Sequence, residues 1–191
     1  MKVVFLDSVH EVLAERLSAA NYTCIFAWEL DKATCLDIIQ DAVGIVIRSR
    51  FTMNEDILKH APLLKWIARS GAGMENIDIA YCDSRKIRLY NSPEGNRNAV
   101  GEHALGMLLS LFNKLHTADR DVRSGIWDRE GNRGVELDGK TVGIIGYGNN
   151  GSAFAKKLKG FDVKILAYDK YKTGFGDHVV IECKLDAILR Q

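Results

Sequence analysis

The chain lacks a charge of either sign to spare: 26 Lys and Arg face 25 Asp and Glu, for a net charge of +1. So even a balance gives no electrostatic footprint for nucleic acid or for a membrane surface. It also lacks any apolar run approaching membrane-spanning length, which excludes a spanning helix. Cysteine is scarce and scattered. Cys24, Cys35, Cys82 and Cys183 show no C-x-x-C spacing, which argues against a zinc site or a disulfide framework and fits a reducing cytoplasm. The opening Met1-Lys2-Val3-Val4-Phe5-Leu6-Asp7 is too short for a signal peptide and reads as a first strand. At 191 residues, one or two domains with a real core are expected.

The most informative stretch runs from Lys140 to Asp169. Thr141-Val142-Gly143-Ile144-Ile145 is a short apolar, β-branched run and reads as a buried strand. Gly146-Tyr147-Gly148-Asn149-Asn150-Gly151 follows and matches G-x-G-x-x-G. Ser152 to Leu158 has helical apolar spacing, and Val163 to Tyr168 is a second strand ending at Asp169. This order is that of a dinucleotide-binding βαβ unit. Gly146 permits the tight turn, Gly148 leaves room for a pyrophosphate, and Gly151 allows close helix packing. The diphosphate then meets unpaired N–H groups at a helix N-terminus. Asp169, 18 residues past the last glycine, is placed to accept hydrogen bonds from the adenosine ribose. A carboxylate there repels a 2′-phosphate, so NAD is expected over NADP, a preference that Lys170 and Lys172 weaken. A glycine-rich turn in an ordinary α/β protein is the alternative, and the strand, helix, strand and acid together outweigh it.

Before that stretch, strands (Val3–Leu6, Thr23–Phe26, Gly44–Ile47, Leu64–Ala68, Ile87–Tyr90) alternate with helical segments (Glu11–Ala20, Lys32–Asp41, Asn54–Leu58, Ile77–Ser84). Such alternation implies a parallel sheet covered by helices on both faces. Ligands bind beyond the carboxyl ends of such strands. Arg48 and Arg50 follow the third strand, and their guanidinium forks suit carboxylate or phosphate. Ser70-Gly71-Ala72-Gly73 follows the fourth, where successive N–H groups form an anion-holding nest. Solvated arginines beside a turn that merely needs glycine remain the open alternative.

Asn91 to Asn96 is a turn-rich link. Ala99 to Leu115, with Asn98 as its cap, reads as a helix apolar nearly all round, hence buried where two domains or two subunits meet. His103 lies on it without a partner and reads as structural. Asp119 to Gly139 reads as a helix end and a connection. After Asp169 come a strand at Val179–Ile181 and a helix at Lys184–Arg190. A doubly wound nucleotide domain has two halves, and only the first is expected here.

With these residues assembled, the chain resembles the D-isomer-specific 2-hydroxyacid dehydrogenase family, and most its D-3-phosphoglycerate dehydrogenase branch. The matching blocks are Val46–Arg50, Ala68–Asp78, Asn91–Asn96, Val100–Ala104 and Leu137–Gly148. The resemblance implies a flavodoxin-like α/β substrate domain over 1–97, then an incomplete Rossmann-type NAD-binding domain over 98–191. It implies an NAD-dependent oxidoreductase acting on the CH–OH group of a small anionic D-2-hydroxy acid, 3-phosphoglycerate of serine biosynthesis foremost. By position, the backbone of Ser70, Gly71, Ala72, Gly73 and Met74 would hold the substrate carboxylate. Arg48 and Arg50 would meet its anionic tail, and Asn96 would lie near substrate and nicotinamide. The amides of Asn149 and Asn150 would face the pyrophosphate, with Gly146, Gly148, Gly151 and Asp169 completing the cofactor site. Where the family has an apolar residue, Asn150 would place a polar group in dry helix packing and lower cofactor affinity. A homodimer through 99–139 is also implied.

The family's catalytic histidine, glutamate and arginine fall later in its pattern than Gln191, and His10, His60, His103, His116 and His178 match none of that context. No catalytic residue is therefore expected in this chain, which reads as an inactive N-terminal portion of a longer enzyme. Two alternatives stay open: a short protein that binds NAD or an anion without turnover, and an interaction module using Ala99–Leu115.

Overall fold

Runs of three to six residues, mostly β-branched or apolar and too short for stable helices, pair as parallel strands in two separate sheets. The computed structural model describes residues 1–191 and divides into two units, Met1–Gly95 and Asn96–Gln191.

In the first unit, strands β1 (Lys2–Phe5), β2 (Thr23–Phe26), β3 (Ala42–Ile47), β4 (Trp66–Arg69) and β5 (Arg88–Tyr90) form a parallel sheet in the order β2-β1-β3-β4-β5. That is the flavodoxin-like order. Helices α2 (Lys32–Ile38), α3 (Glu55–Leu58) and α4 (Ile79–Ser84) cover one face, packing Cys35, Ile57, Leu58 and Cys82 on Val4, Ile45, Ile47 and Ile67. Helix α1 (Val12–Ala19) covers the other, setting Leu13 and Leu17 against Val3, Phe5 and Val46. Alternate residues of β1 and β3 thus point into two different cores, which is why both strands read as continuous apolar runs. Asp31 and Asp78 accept from the N–H of Thr34 and Tyr81, capping α2 and α4.

In the second unit, β6 (Thr141–Ile145), β7 (Lys164–Tyr168) and β8 (Val180–Glu182) form a parallel sheet in that order. Helices are α5 (Arg97–Phe112), α6 (Leu115–Arg123), α7 (Asn149–Lys157) and α8 (Leu185–Leu189). Helix α7 crosses α5 where Gly101 faces the main chain of Ala153. A Cβ on Gly101 would lie 3.0 Å from the Ala153 carbonyl carbon. Ala155, Leu158, Ile165 and Val180 are buried beneath.

Three expectations for the middle of the chain fail. The helix stops at Phe112, because Lys114 takes a left-handed conformation (φ 51°) and a separate helix α6 begins at Leu115. Asn96, not Asn98, occupies the cap position of α5; Asn98 Nδ2 instead donates to Glu102 Oε1 at 2.9 Å. Nor is α5 buried all round. Only Gly101 is fully buried on it, while Leu111 is 73% exposed. No helix is long and apolar enough to cross a membrane, and no cluster of His, Cys, Asp or Glu has metal-ligand geometry.

Candidate functional site

Each unit gathers its polar groups at the carboxyl ends of its strands. In the first, the loop after β3 is organised by Asp7, just past β1. Its Oδ2 accepts from the N–H groups of Arg48, Ser49 and Arg50 at 2.6, 3.1 and 3.2 Å. Asn76 Nδ2 donates to the carbonyls of Arg48 and Phe51, closing the loop from the other side. Arg69, at the end of β4, donates through Nε to the Arg48 carbonyl at 3.1 Å and through Nη1 to the Gly73 carbonyl. Its Nη2 pairs with Glu75 at 2.9 Å. Glu75's carboxyl is held below its ordinary value first by its own backbone N–H and then by Arg69. Asn91 Nδ2 donates to the Ala72 carbonyl at 2.6 Å, and Ser92 N–H to the Gly71 carbonyl at 2.9 Å. Loops after four adjacent strands, β1, β3, β4 and β5, are thereby tied into one platform.

The two expected arginines part company on that platform. Arg48 is exposed, and its guanidinium has no partner in the chain. Arg50 is turned inward: Nη1 donates to the carbonyls of Ala27 (2.8 Å) and Leu6 (3.3 Å), and Nη2 to that of Leu30. Its guanidinium also lies over the Phe51 ring at 4.8 Å. With three of its five N–H donors committed to carbonyls, Arg50 joins the ends of β1 and β2 to the loop. Ser70, Gly71, Ala72, Gly73 and Met74 form the loop after β4, but the N–H of Ser70 donates to the Ile47 carbonyl at 2.8 Å and that of Gly71 to the Arg69 carbonyl at 2.9 Å, so the open part of the expected nest is Ala72 to Met74. Asn96 is exposed at the start of the second unit, its carbonyl accepting from Val100 N–H at 3.0 Å.

In the second unit, Gly146 has φ 96°, a conformation that L side chains rarely adopt. Its N–H donates to the Tyr168 carbonyl at 2.7 Å, fixing the turn off β6. A Cβ on Gly151 would run into the Gly146 carbonyl oxygen, so this glycine is needed by the loop as well as by helix packing. Gly148 faces open space. The N–H groups of Gly148, Asn149 and Asn150, where α7 begins, have no acceptor within the chain, and no side chain caps the helix. Unpaired amides at the start of a nine-residue helix suit a diphosphate.

Asp169 stands beside this loop, at the end of β7. Its Oδ2 accepts from Tyr147 N–H at 2.7 Å, and its Oδ1 from Tyr171 and Lys172 N–H at 2.8 and 3.0 Å. These bonds, led by that from Tyr171, hold its carboxyl below the ordinary carboxylate range. Tyr147 stacks on Phe175 at 4.7 Å, walling the loop on the β7 side. Asn150 is exposed, so the dry packing expected around its side chain is absent here. The groups that sequence reasoning missed are Asp7, Arg69, Asn76 and Asn91, each acting on a loop distant in the chain. None of the five histidines forms an ion pair with a carboxylate.

The pairing of a flavodoxin-order sheet with a glycine-loop βαβ unit is matched in known proteins. Residues 3–180 match the model of the D-isomer specific 2-hydroxyacid dehydrogenase, catalytic domain. The chain belongs to the D-isomer-specific 2-hydroxyacid dehydrogenase family. Among relatives in this family, a D-3-phosphoglycerate dehydrogenase of Archaeoglobus fulgidus is 40% identical over 128 residues, covering 67% of this chain and 24% of the relative. A hydroxypyruvate reductase of Thermotoga maritima is 36% identical over 143 residues, covering 75% of this chain and 47% of the relative. The chain thus spans about a quarter to a half of the length of these curated relatives. In fold, it superposes on NAD-dependent formate dehydrogenase from Staphylococcus aureus in complex with NAD with a TM-score of 0.82. That match has 23% identity and covers 98% of this chain and 62% of the other.

Proposed function

We propose that this chain supplies the cofactor loop and part of the substrate platform of an NAD-dependent D-2-hydroxyacid dehydrogenase. The substrate reading is a D-2-hydroxy acid with a second anionic group, 3-phosphoglycerate foremost, which would place the enzyme in serine biosynthesis. In this reading, residues 1–97 bind substrate and 98–191 bind NAD. The observation that carries it is the set of unpaired amides at Gly148 to Asn150 beside the Asp169 carboxylate. Bound there, NAD would supply the acceptor for a hydride leaving the hydroxyl-bearing carbon. The chain's own residues bind and orient. Gly148, Asn149 and Asn150 donate to the diphosphate, Asp169 accepts from the ribose, and the amides of Ala72 to Met74 hold the substrate carboxylate. Arg48 meets the anionic tail.

The test is NADH formation by the intact protein with D-3-phosphoglycerate, D-glycerate and D-lactate. The reading expects turnover with the phosphorylated acid to exceed that with D-lactate by at least about tenfold in kcat/KM, the size of one charge-assisted contact. Equal rates, or none with any hydroxy acid, contradict it.

For the 191 residues alone, the histidines favour binding without turnover, since proton removal needs a base in hydrogen-bond reach of the hydroxyl and none is paired and oriented for it. Calorimetry showing NAD binding by the chain, without NADH formation, supports this reading; NADH formation by the chain alone removes it. A homodimer through 99–139 is supported by the apolar side chains left in water along α5, α6 and the following loop. Leu111, Val122 and Trp127 are 73%, 58% and 85% exposed. Sedimentation as a monomer at high concentration opposes it. Four free cysteines support a reducing, cytoplasmic location.

A further inference from the structure

Arg48 is the one long side chain of the β3–α3 loop's first turn that the structure leaves unengaged, and its direction depends on a residue 41 positions earlier. A single oxygen of Asp7 gathers three consecutive N–H groups, those of Arg48, Ser49 and Arg50. Consecutive amides converging on one point form a nest of the kind that binds free anions. Here the chain fills it with its own carboxylate, so this nest is closed to substrate. The consequence is mechanical. Three bonds fix the peptide planes on either side of Arg48 and of Ser49, and with them the Cα–Cβ direction of Arg48. Arg50 then secures the loop from below through the Leu6, Ala27 and Leu30 carbonyls. Asn76 and Arg69 hold the Arg48 carbonyl from the side.

We infer that Asp7 is a positioning residue: through the Arg48–Arg50 amides it aims the Arg48 guanidinium at the anionic tail of the substrate, and so governs the preference for doubly anionic hydroxy acids. This rests on the proposed assignment of the first unit to substrate binding. A carboxylate near an anion site ordinarily repels the ligand. Here three N–H dipoles share the charge of one oxygen, so the carboxylate orients the loop at reduced electrostatic cost. The Gly71–Met74 loop has further anchors in Asn91 and Ser92, independent of Asp7. Binding of the carboxylate common to all hydroxy acids is therefore expected to survive loss of Asp7.

The experiment titrates the full 191-residue chain with D-3-phosphoglycerate and with D-glycerate, which lacks the phosphate, and reads dissociation constants from amide chemical shifts. Asp7→Ala is expected to weaken D-3-phosphoglycerate by about tenfold and leave D-glycerate within about twofold. Asp7→Asn, whose carbonyl oxygen still accepts, is expected to recover at least half of that loss on a logarithmic scale. Should Asp7→Ala fail to fold, Asp7→Asn carries the comparison, with an expected loss for D-3-phosphoglycerate alone of about threefold. Equal weakening of both ligands would show a merely structural role, and no change in either would show no role. Each overturns the inference while leaving the substrate site in place. A wild-type chain that binds neither ligand overturns the substrate reading itself, and the inference with it.

Discussion

Asp169 Oδ2 accepts a hydrogen bond at 2.7 Å from the N–H of Tyr147, the residue between the first two glycines of the phosphate loop. A carboxylate at the end of β7 is thus built into the loop that ends β6. The group proposed to read the ribose also holds the loop proposed to cradle the phosphates, so the two proposed functions stand or fall together.

Replacing Asp169 with Ala therefore costs more than one ribose contact. NAD affinity is expected to fall by at least tenfold, roughly the worth of one charged hydrogen bond or more. Calorimetry reads the affinity, and faster exchange of the Tyr147 amide with solvent reports the released loop. An Asp169→Ala chain that binds NAD as well as wild type removes Asp169 from the site.

Acid should have the same effect by a different route. The amides of Tyr171, Tyr147 and Lys172 hold the Asp169 carboxyl below its ordinary value of 3.8. With the folded value lower than the unfolded one, its contribution to stability is present above the unfolded value and fades as pH falls through the folded one. NAD affinity and melting temperature are thus expected to show no Asp169-dependent change from neutrality down to about the ordinary carboxylate range, then to drop. Asp169→Asn should flatten that acid limb, and an unchanged limb in the variant contradicts the assignment.

Gly146→Ala tests the turn directly. Its φ of 96° leaves the Gly146 backbone where a Cβ is strained by about 1–2 kcal/mol. Gly151→Ala adds a collision with the Gly146 carbonyl oxygen, an overpacking of roughly 1–3 kcal/mol. Urea unfolding is expected to rank Gly148→Ala, which meets open space, as the least destabilising of the three. The same variant should still lose NAD affinity, because its methyl enters the space assigned to the diphosphate.

Arg48 and Arg50 should separate stability from binding. Arg50→Met removes the guanidinium from the Leu6, Ala27 and Leu30 carbonyls, and since Ala27 keeps the Leu30 N–H the loss expected is about 1–2 kcal/mol in unfolding free energy. Arg48→Met is expected to unfold within about 0.5 kcal/mol of wild type, as exposed substitutions do, yet to lose affinity for D-3-phosphoglycerate. The reverse pattern would exchange their roles.

These two arginines also show where sequence reading ends. Both follow β3, and a guanidinium suits phosphate, carboxylate or a row of carbonyls equally well. Only the proximity of Ala27 and Leu30 decides for Arg50. The strands were legible because β-branched runs broken by turn residues have few other uses, and the glycine loop because its strand, helix and acid stand in sequence. Asp7, Arg69 and Asn76 were not legible as site-builders, since their partners lie 41, 21 and 28 residues away. The break at Lys114 was hidden by apolar spacing that runs from Leu111 through Leu115 without interruption, and a left-handed lysine leaves no signature of its own.

The most direct test of the account is an amide chemical-shift titration of the chain with NAD. The largest perturbations are expected at Gly148, Asn149 and Asn150, with a second group at Tyr171 and Lys172 beside Asp169. Saturating NAD that moves none of these amides, or moves only residues away from the ends of β6 and β7, would contradict it.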